Sequence, residues 1–403
     1  MRRPVEQDRA SRRQAAIGTA LLLAAVVFLV VTRPQVAGTI GVFVALIAMI
    51  MLHELGHFIM AKRAGMKVTE FFFGFGPRLW STRRGETEYG VKAIPAGGYV
   101  RIIGMSNVEE VDPADEERTY RAKPYRQRLG VAVAGSTMHF IIASVLLFIV
   151  YAAVGVPASR PVVSQVVKDS PAATSEFRVG DRIVAINGQV VDDGEDIPRY
   201  VESHGESQLV FTVARGNQRL DIPVKPRQVV VDGERVARIG VGLQAYLRTV
   251  PVPSAAAKVA VELPRFTWQT VRSLGGLFSP SGLSNYGHLL TGQGGHEDRR
   301  LLSPLGVGRV AGQAVNNGWG AVLMLLFAIN VFVGVFNMVP LLPLDGGHVA
   351  IATYEKIAST VKRRRVQVDV SRLLPITAAV VAAIVVLGLS ALYLDIVRPV
   401  TGP

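Results

Sequence analysis

Five stretches of the chain are apolar enough to cross a membrane, and polar or charged segments separate them. Each stretch approaches the roughly 20 apolar residues that span about 30 Å of hydrocarbon. Because several such stretches follow one another, the pattern predicts a polytopic α-helical membrane protein with about five spans. The predicted spans are Ala15–Thr32, Val36–Ala61, Leu129–Val154, Trp319–Leu342 and Leu373–Val397.

The first apolar stretch is short and follows a basic tail of residues 1–14, so a cleaved signal peptide is an alternative interpretation of it. No convincing cleavage site of small residues precedes the second span. We therefore expect residues 15–32 to form an uncleaved additional helix.

Basic residues cluster on one side of the predicted spans, which sets their orientation. Lysine and arginine concentrate in the cytoplasmic loops of membrane proteins. The pattern therefore predicts a cytoplasmic N-terminus and an extracytoplasmic stretch at residues 158–318. The clusters are Lys62 with Arg63, Lys123 with Arg126 and Arg128, and Lys362–Arg365.

The composition narrows the possible partners and sites. Hydrophobic residues make up 49% of the chain and charged residues 19%, which suits a membrane protein with a sizeable aqueous part. A net charge of +13 would also suit nucleic acid, but the basic residues lie beside apolar runs, so we expect no nucleic-acid partner. Because the chain has no cysteine, thiolate metal sites, cysteine nucleophiles and disulfides are excluded.

Residues 62–128, predicted to be cytoplasmic, contain short β segments divided by turn residues. These segments predict a β-hairpin sheet, and an exposed edge of it is suited to holding an extended substrate by strand addition. The alternative is a structural lid. The segments are Val68–Phe75, Arg78–Ser81, Thr87–Ala93 and Tyr99–Ile103.

Residues 160–246 alternate in the manner of strands, and Gly-Asp and Asn-Gly turns divide them. This pattern predicts a small β-rich module outside the cytoplasm. The region from 247 to 318 is a connecting region with some helical periodicity. A basic cytoplasmic loop, residues 353–372, is expected before the last span at residues 373–397.

The second predicted span, residues 36–61, carries the sequence His-Glu-Leu-Gly-His from His53 to His57. In a helix, residues four apart share a face, so both imidazoles can bind one zinc ion while Glu54 takes a proton from a water. The alternative is a hydrogen-bonded cluster without metal. An acidic residue at membrane depth costs roughly 2.5 to 3.5 kcal/mol, which favours a functional zinc centre.

The fourth predicted span, extended to residues 319–352, ends in a motif that contains Asp345. In the predicted topology Asp345 lies at the same depth as His53 and His57, and we expect it to be the third zinc ligand. Pro340 and Pro343 break the helix there, which is tolerated where the backbone lines a polar cavity. The alternative is an ordinary helix end with an N-cap aspartate.

Together these motifs resemble the site-2 protease family of intramembrane zinc metalloproteases, in particular the bacterial branch that includes the regulator of sigma-E protease. The segment Gly74–Gly90 resembles the actinobacterial members. The motifs that carry the resemblance are His53–His57, Tyr89–Tyr99, the region 160–246, which is similar to one PDZ domain, and Pro343–Gly347.

The resemblance implies a three-helix catalytic core in which His53, His57 and Asp345 bind zinc and Glu54 is the base. It also places Asn337 beside the scissile carbonyl, where its amide can donate a hydrogen bond to the oxyanion. The family often has Gly-Pro-x-x-Asn where this chain has Gly-Ser-Thr-Met-His139. His139 is then either a packed, hydrogen-bonded residue or a fourth ligand.

The function implied is cleavage of transmembrane segments of single-span proteins after another, site-1 type protease has made a first extracytoplasmic cut. Anti-sigma factors and leftover signal peptides are the substrates that the resemblance implies, and the location is the bacterial plasma membrane. The PDZ-like domain is then a gate against bulky substrates or a simple scaffold. The alternative function is a catalytically silent membrane adaptor.

Overall fold

The computed structural model describes residues 34–105, 109–231, 234–293 and 300–399. The basic tail and the first predicted span lie outside these residues. These residues divide into two compact units, one that ends at residue 148 and resumes at 256, and one of the residues between 149 and 255. The helices are α1 Pro34–Arg63, α2 Tyr125–Ile149, α3 Asp196–His204, α4 Val252–Leu277, α5 Pro280–Thr291, α6 Pro304–Asn316, α7 Trp319–Asn337, α8 Asp345–Lys362 and α9 Leu374–Val397.

Four helical segments among the described residues are long and apolar enough to cross a membrane. They are Ala37–Arg63, Tyr125–Val154, Trp319–Asn337 and Val370–Val397, and they overlap the second to fifth predicted spans. Many apolar side chains of α9 are exposed, among them Val385, Leu389 and Ile396. A helix that leaves such residues uncovered is suited to a lipid environment rather than to water.

The fourth predicted span, residues 319–352, consists of two helices with broken backbone between them. Helix α7 ends at Asn337, and α8 begins at Asp345. The intervening segment turns on itself through short backbone hydrogen bonds, including one from the Leu344 amide to the Leu341 carbonyl at 2.9 Å. Pro340 and Pro343 lack the amide hydrogens that a continuous helix needs, which explains the break.

Strands β1 Val68–Arg84 and β2 Thr87–Ile102 form an antiparallel sheet of their own. Each strand is bent, so that Phe71 in the first half of β1 pairs with Tyr89 on one side and with Val100 on the other. The four predicted segments are thus the halves of two long strands. At the bend of β1, Gly74 has φ 85°, a backbone angle that favours glycine.

The second unit is β-rich. The strands are β3 Val156–Val166, β4 Arg182–Ile186, β5 Gln189–Val190, β6 Leu209–Arg215, β7 Gln218–Val224, β8 Arg227–Val231, β9 Glu234–Arg238 and β10 Val241–Arg248. The main sheet is antiparallel, with order β10-β3-β4-β6-β7, while β5 pairs with β4 and β8 with β9. The core packs Phe177, Phe211 and Ile183 against α3 residues such as Ile197.

A buried carboxylate, Asp181, fixes the turn that leads into β4. Burial by itself raises the pKa of Asp181, but hydrogen bonds from the Arg215 guanidinium and the Arg178 amide outweigh it and hold the pKa below its ordinary value. The ionised carboxylate is therefore part of the folded unit.

In the described part of the predicted connecting region, residues 247–318, the chain forms helices α4 to α6. Helix α6 packs on α1 and α7 through a small core that includes Val42, Ala311 and Leu326. The start of α6 is held by Asp395 of α9, which is fully buried. Its Oδ1 accepts from the Arg300 guanidinium at 2.9 Å, and its Oδ2 accepts from the Ser303 amide at 2.7 Å.

We predict that Asp395→Ala destabilises the protein much more than Asp369→Ala. The first change leaves Arg300 buried without its charge partner, which costs about 3–5 kcal/mol. The second removes an exposed carboxylate that pairs with Arg372 and accepts from the Ser371 amide, and exposed ion pairs contribute little to stability. Thermal unfolding in detergent measures both, and equal small shifts in Tm would contradict a structural role for Asp395.

Candidate metal centre

Two histidines of α1 and one aspartate of α8 converge at a single point. The Nε2 atoms of His53 and His57 lie 3.2 Å apart. Asp345 Oδ2 is 3.5 Å from His53 Nε2, and Asp345 Oδ1 is 3.3 Å from His57 Nε2. Among the described residues, these three side chains form a group that could hold a metal ion.

The distances fit a zinc ion. Ligand atoms at about 2.0–2.1 Å from a tetrahedral zinc lie roughly 3.3–3.4 Å from one another. The separations of 3.2, 3.3 and 3.5 Å between donor atoms of the three residues match that spacing. Two imidazoles and one carboxylate are a donor set found in zinc hydrolases, in which a fourth position is left for water or substrate.

Helix α2 orients one of the two imidazoles. His57 Nδ1 is 2.7 Å from the carbonyl oxygen of Val131. A carbonyl only accepts, so Nδ1 donates and carries the hydrogen, and Nε2 is left with its lone pair facing the centre. Metal-binding histidines usually have their second ring nitrogen fixed in this way.

The centre exists only because α2 approaches α1 without side chains in between. A Cβ atom on Gly135 would lie 2.3 Å from His57 Nε2 and 2.4 Å from His53 Cε1, and one on Gly56 would lie 2.7 Å from the Ala134 carbonyl oxygen. All three distances are far below van der Waals contact. Gly135 and Gly56 are therefore required for the positions that the two imidazoles occupy.

The broken segment before α8 positions Asp345 at the metal centre. Leu344, and not Asp345, is the N-cap residue of α8, so the alternative of a capping aspartate is not what the structure contains. Two glycines let the first turn of α8 lie against the loop. A Cβ on Gly346 would be 2.3 Å from the Met338 carbonyl oxygen, and one on Gly347 would be 2.6 Å from the Leu342 nitrogen.

Glu54 lies next to His53 on α1 and is partly buried. Its Oε2 accepts a hydrogen bond from the Val100 amide of β2 at 3.1 Å. The carboxylate is thus held between the helix that carries the histidines and the last part of the sheet. The structure places the predicted base beside the three predicted ligands.

Asn337 is the last residue of α7 and is partly buried. No hydrogen bond to its side chain occurs among the described residues. It precedes the loop that leads to Asp345, and the structure does not make it part of the group formed by His53, His57 and Asp345. Its role therefore stays a prediction.

Two features of the centre were not predicted from the sequence. One is the steric requirement for Gly135, which depends on how closely two helices pack. The other is Asn330, a buried amide on α7 that is hydrogen-bonded to His139 at 2.8 Å. The sequence signal that could have identified Asn330 is a polar residue in the middle of an apolar run, since such residues inside membrane helices are usually functional or paired.

A family model described as "Peptidase family M50" matches residues 41–381, which is most of the chain. Zinc metalloprotease Rip1 of Mycobacterium tuberculosis is 30% identical over 415 residues, covering 91% of this chain and 98% of that protein. Rip1 of Mycolicibacterium smegmatis is 30% identical over 408 residues, covering 89% and 96%. A putative zinc metalloprotease of Agrobacterium fabrum, Atu1380, is 28% identical over 321 residues, covering 77% and 84%.

A solved PDZ domain of an SdrC-like protein from Listeria monocytogenes is also similar, with 22% identity and a TM-score of 0.19. The alignment covers 21% of this chain and 87% of that domain.

We predict that Asp345→Ala and Gly135→Ala both abolish stoichiometric zinc binding, the first by removing a ligand and the second by pushing a methyl group into both imidazoles. Wild-type protein should contain about one zinc per chain. Gly130→Ala is the matched control, because its Cβ would meet only the flexible end of Met60 at 3.3 Å. Metal analysis of the folded, purified variants measures the zinc content per chain. Normal zinc content in Asp345→Ala would remove Asp345 from the ligand set.

Proposed function

The chain belongs to peptidase family M50, the site-2 protease family, and is an intramembrane zinc metalloprotease; we propose that it cuts the transmembrane segments of single-span proteins after a first cut outside the membrane. The resemblance inferred from the motifs is thereby confirmed, as is zinc as the cofactor. The observation that carries the proposal is the convergence of His53, His57 and Asp345 beside Glu54, on helices that are apolar enough for the bilayer.

The proposed roles of His53, His57, Asp345 and Glu54 are supported by the geometry, and that of Asn337 by the resemblance alone. His53, His57 and Asp345 hold the metal, which when bound polarises a carbonyl and makes water more acidic. Glu54 takes a proton from the attacking water, and the Val100 amide keeps its carboxylate turned toward β2. Asn337, at the end of α7, donates its amide hydrogen to the oxyanion. An inactive adaptor is not favoured, because every one of these groups is present.

The proposed substrate is an extended strand. A peptide bond within a regular helix is shielded by the hydrogen-bonded backbone, so the segment to be cut has to unwind before hydrolysis. The last part of β2 is an edge of its sheet among the described residues, because Val100 pairs with Phe71 on one side only. The Val100 amide, bonded to Glu54, points away from Phe71, so a substrate strand added at this edge would lie beside Glu54.

The proposed topology has the N-terminus and the β1–β2 sheet in the cytoplasm and the β-rich unit outside. The basic clusters beside the spans support this orientation. We interpret the β-rich unit as a PDZ-like gate that keeps out substrates with bulky outer domains, because it is a separate compact unit within the chain. The resemblance points to anti-sigma factors and leftover signal peptides as substrates and to a site-1 type protease as the enzyme that acts first.

Glu54→Gln tests the chemistry. The amide keeps the size of the side chain, and its oxygen still accepts from the Val100 amide, but it cannot take a proton. We expect zinc content and substrate binding to be retained while the cleavage rate falls by about 10²–10⁴-fold. Glu116→Gln, which alters an exposed ion pair with Arg121, is the control. A wild-type rate in Glu54→Gln would contradict a role for Glu54 as the base.

The orientation is tested with reporter fusions. A reporter after Arg13, inserted within Arg84–Glu88 or placed after Arg365 should report the cytoplasm, and one within Asp192–Glu195 should report the exterior. The Arg84–Glu88 site contains the turn between β1 and β2, which consists of Gly85 and Glu86. An exterior signal there would place the metal centre in the opposite leaflet.

Removal of the β-rich unit tests the gate. We expect a variant lacking residues 160–246 to cleave a trimmed substrate at the wild-type rate and also to accept the same substrate with its outer domain. Both substrates are offered in one detergent or lipid preparation, with Glu54→Gln as the inactive reference. An unchanged preference for trimmed substrate would argue for a scaffold instead of a gate.

A further inference from the structure

His139 of α2 lies on the face of the helix that closes the metal centre. It follows Gly135 by four residues, so the two positions share that face. The His139 side chain is buried, with a relative exposure of 2%. Its ring centroid is 5.0 Å from that of His53, with 43° between the ring planes. His139 is therefore in contact with a predicted ligand without belonging to the three-ligand group.

The hydrogen bonds around His139 fix which of its nitrogens carries the hydrogen. Asn330 Nδ2 lies 2.8 Å from the Leu326 carbonyl oxygen and donates to it, so Asn330 Oδ1 is the atom that faces His139. His139 Nδ1 is 2.8 Å from that oxygen and must donate. In the neutral ring Nε2 then carries a lone pair and acts as an acceptor.

His139 Nε2 is buried and has no hydrogen-bond partner among the described residues. Buried acceptors in folded proteins are almost always satisfied. The same arrangement, with Nδ1 bonded to an oxygen and Nε2 free, is the one that His57 uses toward the centre. An acceptor held in this orientation beside His53 can accept a hydrogen bond from a molecule that enters the centre.

We propose that His139 Nε2 accepts a hydrogen bond from the water that attacks the scissile bond, and that Asn330 is the positioning residue that holds His139 in this tautomer. The inference rests on the proposed hydrolytic function. A water molecule has two hydrogens, of which Glu54 takes one and His139 binds the other. The lone pair of the oxygen is thereby directed at the carbonyl, and the substrate itself is not bound by His139.

His139→Asn separates this role from packing. The asparagine amide replaces Nδ1, so the bond to Asn330 can persist, but no atom occupies the position of Nε2. We expect zinc content and KM for a transmembrane substrate to be unchanged while kcat falls by about 10–100-fold, the usual effect of losing such a partner near a metal. His139→Gln, whose amide reaches the position of Nε2, should recover part of the loss.

The matched control is Ser144→Ala on the same helix, since the Ser144 hydroxyl donates only to the Phe140 carbonyl of its own helix. It should have the wild-type kcat. A wild-type kcat in His139→Asn, with Glu54→Gln inactive in the same assay, overturns the role of His139 and leaves the proposed function intact. Wild-type cleavage by Glu54→Gln would instead overturn the function.

A measurement without turnover tests the tautomer directly. In zinc-free protein with ¹⁵N-labelled histidine, the resonances that disappear in His139→Asn belong to His139. We expect a protonated Nδ1 and an unprotonated Nε2, with this preference lost in Asn330→Leu. A protonated Nε2 in the wild type overturns the proposal. So does a change in the absorption bands of Co²⁺-substituted His139→Asn that corresponds to loss of a ligand, because His139 would then bind the metal itself.

Discussion

The close approach of two imidazole nitrogens and one carboxylate is the constraint on which the structure depends. With both imidazoles neutral, two nitrogen lone pairs and a carboxylate at 3.2 to 3.5 Å from one another repel each other, and in an apolar surrounding little screens that repulsion. A divalent cation reverses the sign of the interaction. The arrangement is therefore reasonable for a zinc centre and unfavourable as a simple packed cluster.

Much of the surrounding fold serves that approach. Gly56 and Gly135 bring α2 against the face of α1 that carries the histidines, and Gly346 lets the start of α8 fold back over the loop before it. The break between α7 and α8 turns Asp345 toward α1. The Val100 amide of β2 joins the sheet to Glu54. Helices, broken backbone and sheet edge thus meet at the metal centre.

The sequence predicted those parts of the fold that depend on local spacing. His53 and His57 share a helix face because they are four residues apart, and Pro340 with Pro343 predicted broken backbone before Asp345. Contacts between distant residues could not be predicted in this way. The bond between His139 and Asn330 joins positions 191 residues apart, and the ion pair of Asp395 with Arg300 links α9 to the start of α6. The local sequence around a residue of either pair does not indicate which distant residue it contacts.

X-ray absorption at the zinc edge of the purified protein tests the central claim most directly. We predict a first shell of nitrogen and oxygen at about 2.0–2.1 Å, with outer-shell scattering from two imidazoles, and a loss of that spectrum in Asp345→Ala. Scattering from three imidazoles would make His139 a ligand, and scattering from none would place the zinc away from His53 and His57. Either result would contradict the metal centre described.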